Sequence, residues 1–253
     1  MRVLLTNDDG IFAPGIKALG EAFRGAGCHV SACAPDRERS AASHSATFTP
    51  LHARSVALDW ADQAWAVDGT PADCASLGLF LTREAPVDLV VSGINRGMNL
   101  GGACVYSGTV GAALEAAMSG CQGLAVSLCF DPERPETEDY AAAARIAVKV
   151  AEWAVRHPLP LGVMYNLNVP PLPYGQIRGI VPAALAPVFL MPPDYRLVED
   201  EEGAGYRYQG RPQRFERPDY DTVQIDAGYA TLTRLTWDFR LNADDSELGE
   251  ISL

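Results

Sequence analysis

The amino-acid sequence predicts an α/β protein built on a doubly wound, mainly parallel β-sheet, with a C-terminal β-rich arm. Short apolar runs alternate with helical patterns as far as residue 169, which is typical of strand–helix–strand units with right-handed crossovers. From Pro170 onward the pattern changes to prolines, short β-like pieces and an acidic loop. We therefore expect one domain over residues 1–253, with an α/β core at 1–169, an irregular arm at 170–228, and a final strand and tail at 229–253.

The first predicted strand ends in two adjacent carboxylates. Residues 3–5 form a short apolar run typical of a buried parallel strand, and Asp8 and Asp9 follow shortly after it. Ligands of open α/β sheets bind beyond the carboxyl ends of the strands. Neighbouring carboxylates resist ionising together unless a hard cation such as Mg²⁺ or Mn²⁺ binds their oxygens. The alternative is a turn that caps the next helix, whose first turn would suit Pro14.

A helix, a second strand and a polar loop come next. Apolar residues at helical spacing predict a helix over 14–24, and residues 28–34 predict a strand. The loop at 36–45 leaves the carboxyl end of that strand and contains several serines together with His44. Its serines are either ordinary turn residues or hydroxyl groups offered to a metal or a phosphate.

The following segment predicts a hairpin and a well-marked helix start. Residues 46–63 alternate weakly, and 64–67 predict a short strand. Thr70 as N-cap, Pro71 at the first helical position and Asp73 at the third form a helix-start signal. The start of a helix is sufficient to explain these residues, and no functional role is assigned to them.

The stretch after the strand predicted at 87–91 contains the second group of candidate ligands. Its glycines match neither the Gly-x-Gly-x-x-Gly dinucleotide pattern nor the Walker phosphate loop, so neither site is predicted. Ser107, Gly108 and Thr109 lead into a small-residue helix at 110–118, which would direct hydroxyls and free backbone N–H groups towards an anion. The alternative is a plain helix cap.

The remaining elements complete the alternation. Residues 124–128 and 162–168 predict strands on either side of an acidic loop at 131–139 and a long helix at 140–155. Residues 226–237 alternate as a late strand. Strands that alternate with helices in this way lie parallel in one sheet.

The composition predicts a soluble protein of the cytoplasm. The chain has 253 residues, 48% of them apolar, which is ample for a substantial core. A formal net charge of −12 argues against duplex nucleic acid or an anionic membrane as a partner, because both require a basic surface. The N-terminal apolar run is too short for a signal peptide, and no run of about 18 apolar residues suggests a membrane span. The six cysteines form no Cys-x-x-Cys pair and are expected to be buried, reduced thiols, and the four histidines form no zinc pattern.

Four motifs together resemble the SurE family of metal-dependent nucleoside monophosphate phosphatases. The resemblance is nearly continuous over the N-terminal two-thirds of the chain and looser beyond Pro170. The motifs that support it are Asn7-Asp8-Asp9-Gly10, Arg39-Ser40, Ser92-Gly93-Ile94-Asn95 and Tyr106-Ser107-Gly108-Thr109.

The resemblance implies a Rossmann-like fold, a divalent metal and a set of site residues. By position, the metal ligands would be Asp8, Asp9, Ser40 and Asn95, and the phosphate would lie at the helix start formed by Ser107, Gly108 and Thr109. Asp8, Asp9 and Asn95 would also take part in catalysis, and Asn7, Arg96 and His44 are added as expected substrate contacts. The resemblance further implies a C-terminal arm exchanged between subunits, and so a homodimer or homotetramer.

One departure from the family pattern concerns the general base. Some members have an acidic residue where this chain has Gly102-Ala103-Cys104. A carboxylate base is therefore not expected at that place, and His44 and Arg96 are the open candidates.

The sequence thus predicts hydrolysis of nucleoside 5′- or 3′-monophosphates to nucleoside and phosphate, by metal-assisted attack of water with Mg²⁺ or Mn²⁺ as cofactor. A second interpretation makes Asp8 a nucleophile that forms an aspartyl-phosphate, although the adjacency of the two aspartates does not match an Asp-x-Asp motif. A third is a nucleotide-binding regulator without turnover.

Overall fold

Six parallel strands form the centre of a nine-stranded sheet in the structure, a computed structural model that describes residues 1–130, 138–187, 195–200, 203–208 and 215–238. Their order across the sheet is β4-β2-β1-β5-β6-β7. The predicted doubly wound, mainly parallel sheet is therefore confirmed. These strands are β1 (Arg2–Thr6), β2 (His29–Pro35), β4 (Gln63–Val67), β5 (Leu89–Arg96), β6 (Gln122–Leu128) and β7 (Val163–Val169).

Three further strands extend the sheet at its two edges. Strand β3 (Ala53–Ser55) pairs antiparallel with β4, as the weak hairpin pattern predicts. At the other edge β11 (Ala230–Thr236) pairs antiparallel with β7, and β8 (Ile180–Pro182) pairs parallel with β11. The predicted late strand is confirmed. Because β8 belongs to the main sheet, part of the segment 170–228 is integrated with the core, and the predicted division of the domain stays a prediction.

Two pairs of helices cover the two faces of the sheet. Helices α1 (Pro14–Gly25) and α4 (Tyr140–Arg156) contact each other and β5 on one face. Helices α2 (Pro71–Leu81) and α3 (Gly108–Met118) contact each other on the opposite face. The sequence predicts all four, and their apolar faces bury the strands on both sides. A fifth, short helix, α5 (Asp221–Asp226), precedes β11.

The helix-start signal of α2 forms a complete capping box. The Thr70 hydroxyl accepts a hydrogen bond from the Asp73 backbone N–H at 3.1 Å, and the Asp73 carboxylate accepts one from the Thr70 N–H at 2.8 Å. Asp73 also accepts from the Thr47 N–H at 2.9 Å. The cap therefore also holds the segment around Thr47, which precedes β3 in the chain.

Strand β5 is longer than the sequence predicts. The prediction ends it at residue 91, whereas the strand continues through Ser92 to Arg96 with a register shift against β6 between Ser92 and Asn95. Gly93 allows this because a side chain there would collide with the Val126 carbonyl group of β6. Asn95 consequently lies at the end of a strand of the sheet and not in a free loop.

A separate two-stranded sheet forms the predicted β-rich arm. Strands β9 (Tyr195–Asp200) and β10 (Gly203–Tyr208) pair antiparallel and show no strand pairing with the main sheet in the described residues. Their side chains Tyr195, Leu197 and Tyr206 are exposed. The arm also contains an apolar run in the sequence at 188–191, which lies outside the described part of the chain.

The structure also bears on the cysteines and on possible membrane spans. All six cysteines are free thiols, four of them buried and two partly buried. Within the described residues, no helix is long and apolar enough to cross a membrane. The predicted cytoplasmic location stays a prediction.

Replacing Gly15 by alanine should destabilise the fold, because α1 packs onto β5 at this glycine and a methyl group would overlap the Ile94 carbonyl oxygen. We expect the free energy of unfolding to fall by about 1 to 3 kcal/mol, seen as a decrease in Tm of roughly 3 to 10 °C. Gly25→Ala in the same helix is the matched control, since a methyl group there meets open space and alanine favours helix. Equal Tm values for the two variants would contradict the close approach of α1 to β5 at Gly15.

Candidate active site

The candidate site lies at the point where the strand order of the sheet reverses. From β1 the chain winds outward through β2 to β4, and it then returns to β5 and winds the other way. The carboxyl ends of β1 and β5 therefore open a crevice between them, which is where doubly wound sheets bind ligands. Asp8 and Asp9 follow β1, and Asn95 lies near the end of β5.

A tight turn closed by Asn7 presents the two aspartates. The Asn7 side-chain amide donates to the Gly10 carbonyl at 2.9 Å, and its Oδ1 accepts from the Gly10 N–H at 3.1 Å. Gly10 has a φ of +103°, a backbone conformation that favours glycine. Because both ends of the buried Asn7 amide bind the turn, this residue shapes the turn, and the predicted contact of Asn7 with substrate stays a prediction.

Asp8 is buried against the start of α3. Its Oδ1 accepts a hydrogen bond from the Thr109 hydroxyl at 2.6 Å, and its Oδ2 lies 3.2 Å from where a Cβ on Gly108 would stand. Burial raises the pKa of Asp8, and the hydrogen bond from Thr109 opposes that rise. Gly108 and Thr109 thus lie beside Asp8, and their predicted contact with a phosphate stays a prediction.

Asp9 faces the end of β5 and is half-buried. Its Oδ2 accepts weakly from the Arg96 backbone N–H, at 3.4 Å. Burial, and after it the charge of Asp8, raise the pKa of Asp9 to about 6. The charge of Glu38 acts in the same direction on both aspartates. The crevice therefore concentrates negative charge.

Among the described residues, no basic side chain forms an ion pair with either aspartate. The predicted substrate residue Arg96 instead donates to Glu138 at 2.8 and 3.1 Å and lies over the Phe130 ring. Its charge lowers the pKa of Asp9 less than burial raises it. The aspartate pair consequently lacks a close protein counter-charge in the described structure.

Ser40 lies at the rim of the same crevice. Its loop is held to the turn after β1 by a hydrogen bond of 2.7 Å from the Arg39 N–H to the Asp8 carbonyl. The exposed Ser40 hydroxyl donates to Glu38 Oε1 at 2.6 Å, so its lone pairs remain able to accept or to bind a cation. Glu38 is a carboxylate of the site that the sequence analysis missed, because nothing in a serine-rich loop distinguishes it from a solvated acid.

Asn95 lies near the end of β5, and Ser107 lies at the start of α3. The Asn95 Nδ2 donates to the Gly97 carbonyl at 2.9 Å, which leaves Oδ1 as the atom suited to a cation. The Ser107 hydroxyl accepts from the Val110 N–H at 3.1 Å and so caps α3. The capping alternative is therefore realised for Ser107, whose hydroxyl hydrogen is still available to an anion.

His44 lies beside α3, farther from the aspartates along the helix. One ring nitrogen is 2.8 Å from Glu115 Oε2, and this contact lowers the pKa of Glu115. The contact orients the ring towards α3. A role of His44 as base or substrate contact stays a prediction.

A buried polar network behind the site also escaped the sequence analysis. The Asn99 carbonyl accepts from the side-chain amides of Asn166 and Asn168 at 2.9 and 3.0 Å. The Gly101 N–H donates to Asp221 at 2.7 Å. The network anchors the segment that links Asn95 to Ser107. The alternating asparagines of β7 are its sequence signal, since amides inside a buried strand need partners.

The donor set of the crevice fits a hard divalent cation. Two carboxylates, a serine hydroxyl and an amide oxygen are the oxygen ligands that Mg²⁺ and Mn²⁺ accept. Within the described residues no group of three or more His, Cys, Asp or Glu side chains is arranged to hold a metal. A cation here would therefore rely on neutral oxygens besides Asp8 and Asp9.

Comparison with known families shows to which family the chain belongs. The family model described as "Survival protein SurE" matches residues 3–188. The chain belongs to the SurE family. This confirms the resemblance of the motifs, and the predicted enzyme class, a nucleotidase, is confirmed at the level of the SurE family.

SurE relatives and a solved SurE structure match most of the chain. A "5′-nucleotidase SurE" of Rhodopirellula baltica is 41% identical over 261 residues, covering 100% of this chain and 99% of the relative. One from Anaeromyxobacter dehalogenans is 49% identical over 181 residues, covering 71% of this chain but 66% of the relative. A crystal structure of the SurE protein from Aquifex aeolicus aligns with a TM-score of 0.79 at 33% identity over 95% of each chain.

Replacing Thr109 by valine should impair the SurE site with little effect on folding. The change keeps the shape of the side chain but removes the hydroxyl that orients Asp8. Loss of an outer hydrogen bond to a metal ligand typically costs about 10- to 100-fold in metal affinity or activity. We expect a decrease of that size in kcat/KM for a nucleoside monophosphate.

Ser107→Ala is the comparison variant for this prediction, because it removes a helix cap and should lower the free energy of unfolding by about 1 kcal/mol. Turnover and metal affinity of Thr109→Val equal to those of the unmodified protein would show that Thr109 does not orient Asp8.

Proposed function

We propose that this SurE protein hydrolyses nucleoside 5′- or 3′-monophosphates with Mg²⁺ or Mn²⁺ bound by Asp8, Asp9, Ser40 and Asn95. The observation that carries the proposal is the pair of adjacent carboxylates in a buried crevice, without a basic partner among the described residues. The relatives named 5′-nucleotidase support the substrate class. A bound divalent cation would compensate the carboxylate charge, polarise the phosphate and orient the attacking water.

The start of α3 supplies the groups that would hold the phosphate. The first N–H groups of a helix have no carbonyl partner within it, and the helix dipole favours an anion there. Gly108 permits close approach because it has no side chain, and Ser107 adds a hydroxyl. Asp8, oriented by Thr109, stands directly beside this position.

Several groups must act together in this reaction. Acceleration of phosphate-monoester hydrolysis can approach ~10²¹-fold, whereas one well-placed donor contributes about 3 to 4 kcal/mol. The arrangement meets this requirement by combining carboxylates, amide, hydroxyl and helix N-terminus within one crevice. Attack by water is favoured over an aspartyl-phosphate, because Asp8 Oδ1 is occupied by Thr109 and the carboxylate is 5% exposed.

The β9–β10 arm is the proposed basis of a homodimer or homotetramer. Exposed Tyr195, Leu197 and Tyr206 place large side chains on a hairpin that, within the described residues, shows no strand pairing with the main sheet. Such surfaces commonly mark association sites, and exchange of an arm is a low-cost route to a symmetric dimer.

Phosphate release from a panel of nucleoside 5′- and 3′-monophosphates tests the proposed activity. Chelation should abolish release, and Mg²⁺ or Mn²⁺ should restore it, because the aspartate pair needs a cation to be fully ionised. Asp9→Asn should remain folded, as judged by Tm, and lose most of its activity. Full release by metal-free protein would refute the role of the cation, and tight nucleotide binding without release under any condition would favour the regulator.

Deletion of residues 186–222, bridged by a short Gly-Ser linker, tests the role of the arm. We expect light scattering to show fewer subunits in each particle, because the deletion removes the exposed β9–β10 hairpin. The deletion also removes the Asp221 contact with Gly101, so the single change Asp221→Asn is the matched control for damage to the site. An unchanged oligomer after the deletion would refute assembly through the arm.

A further inference from the structure

A second cavity opens beside Asp9 on the face of the sheet opposite α3. Its volume is about 370 Å³, within the range of small-molecule sites. The turn before α1, the loop after β2 and the start of α4 enclose it. Its lining includes Asp9, Phe12, Arg37, Glu38, Arg96 and Tyr140. Asp9 is thus shared between the candidate metal crevice and this cavity.

Phe12 is the exposed aromatic side chain of the cavity, and its backbone is fixed. The ring is 64% exposed. On one side Ile11 is fully buried and its N–H donates to the Pro35 carbonyl at 2.9 Å. On the other side the Ala13 N–H donates to the Gly10 carbonyl at 3.0 Å, and Pro14 begins α1. A held backbone with a solvated ring presents an open π-face at little conformational cost.

The opposite wall of the cavity is also ordered by contacts. Arg96 donates to Glu138, and the Tyr140 hydroxyl donates to Glu138 Oε1 at 2.9 Å. These side chains are therefore already engaged, whereas no ring contact engages Phe12 within the described residues. An isolated exposed aromatic needs no explanation by itself. The position of Phe12 in a cavity that includes Asp9 is the feature that requires an explanation.

We propose that Phe12 is the platform on which the nucleobase of the substrate stacks, and that this cavity is the nucleoside subsite. This rests on the proposed function and assigns its specificity to one residue. Every nucleobase has a π-face, and stacking on an aromatic side chain contributes about 1 to 3 kcal/mol per base. At 1.4 kcal/mol for each factor of ten, this corresponds to roughly 5- to 150-fold in affinity.

Tyr106 is the rival platform and supplies the matched comparison. Its ring is 69% exposed and it directly precedes Ser107 on the α3 side of the crevice. Both rings are exposed aromatics within a few residues of a proposed ligand, so exposure alone does not distinguish them. The shared lining with Asp9 favours Phe12.

The test measures discrimination between a nucleotide and the same sugar phosphate without its base. With Mn²⁺-loaded protein, kcat/KM is determined for adenosine 5′-monophosphate and for ribose 5-phosphate, and the ratio is compared among unmodified protein, Phe12→Ala and Tyr106→Ala. We expect the ratio to fall roughly 10- to 100-fold in Phe12→Ala and to remain within about twofold in Tyr106→Ala. Phe12→Leu, which keeps apolar area without the π-face, should fall nearly as far.

Three results would overturn the assignment. The first is a constant ratio in Phe12→Ala with both rates lowered, which would mean a general positioning effect. The second is a constant ratio in Phe12→Ala with both rates unchanged, and the third is a ratio that falls in Tyr106→Ala alone; either would place the base elsewhere. If the unmodified protein hydrolyses neither compound, the proposed function fails but the stacking can still be tested. The affinity for adenosine 5′-monophosphate is then measured by calorimetry in the same variants. We expect binding to be at least fivefold weaker in Phe12→Ala.

Discussion

The placement of two adjacent carboxylates in a buried crevice is the constraint on which the site depends. Asp8 and Asp9 follow β1 at the reversal of strand order, where burial raises the pKa of both groups and the charge of Asp8 raises that of Asp9 further. Bringing such a pair out of water costs free energy unless opposite charge or hydrogen bonds compensate. Asp8 receives the Thr109 hydroxyl and backbone hydrogen bonds, and Asp9 receives one long backbone contact. Among the described residues no basic side chain pairs with either carboxylate, which is why we propose a cation.

The surrounding elements maintain this arrangement from several directions. Asn7 closes the turn that contains the aspartates, the Arg39 N–H ties the Ser40 loop to that turn, and Thr109 joins α3 to Asp8. From behind, Asn99 and Asp221 anchor the segment between β5 and α3. Asp221 lies far along the chain, so the C-terminal part of the SurE fold supports a site whose proposed ligands all come from the N-terminal part.

Local signals explain why much of this could be predicted from sequence. The apolar run ending in Asp8, the cap at Thr70 and the small-residue helix after Ser107 each obey short-range rules, and the structure has the corresponding elements. The extension of β5 was missed because it depends on the absence of a side chain at Gly93 facing Val126. Glu38 was missed because only the folded chain brings it next to Asp9.

Direct titration of the protein with Mn²⁺ is the measurement that tests the central claim. The account predicts a specific site, seen by calorimetry or by the loss of the free-ion paramagnetic resonance signal, with affinity strongly reduced in Asp8→Asn. Asp59→Asn, which changes an exposed aspartate in a loop before β4, should bind as the unmodified protein does. Binding that is absent from the unmodified protein, or equal in all three proteins, would contradict the claim that the aspartate pair is built around a cation.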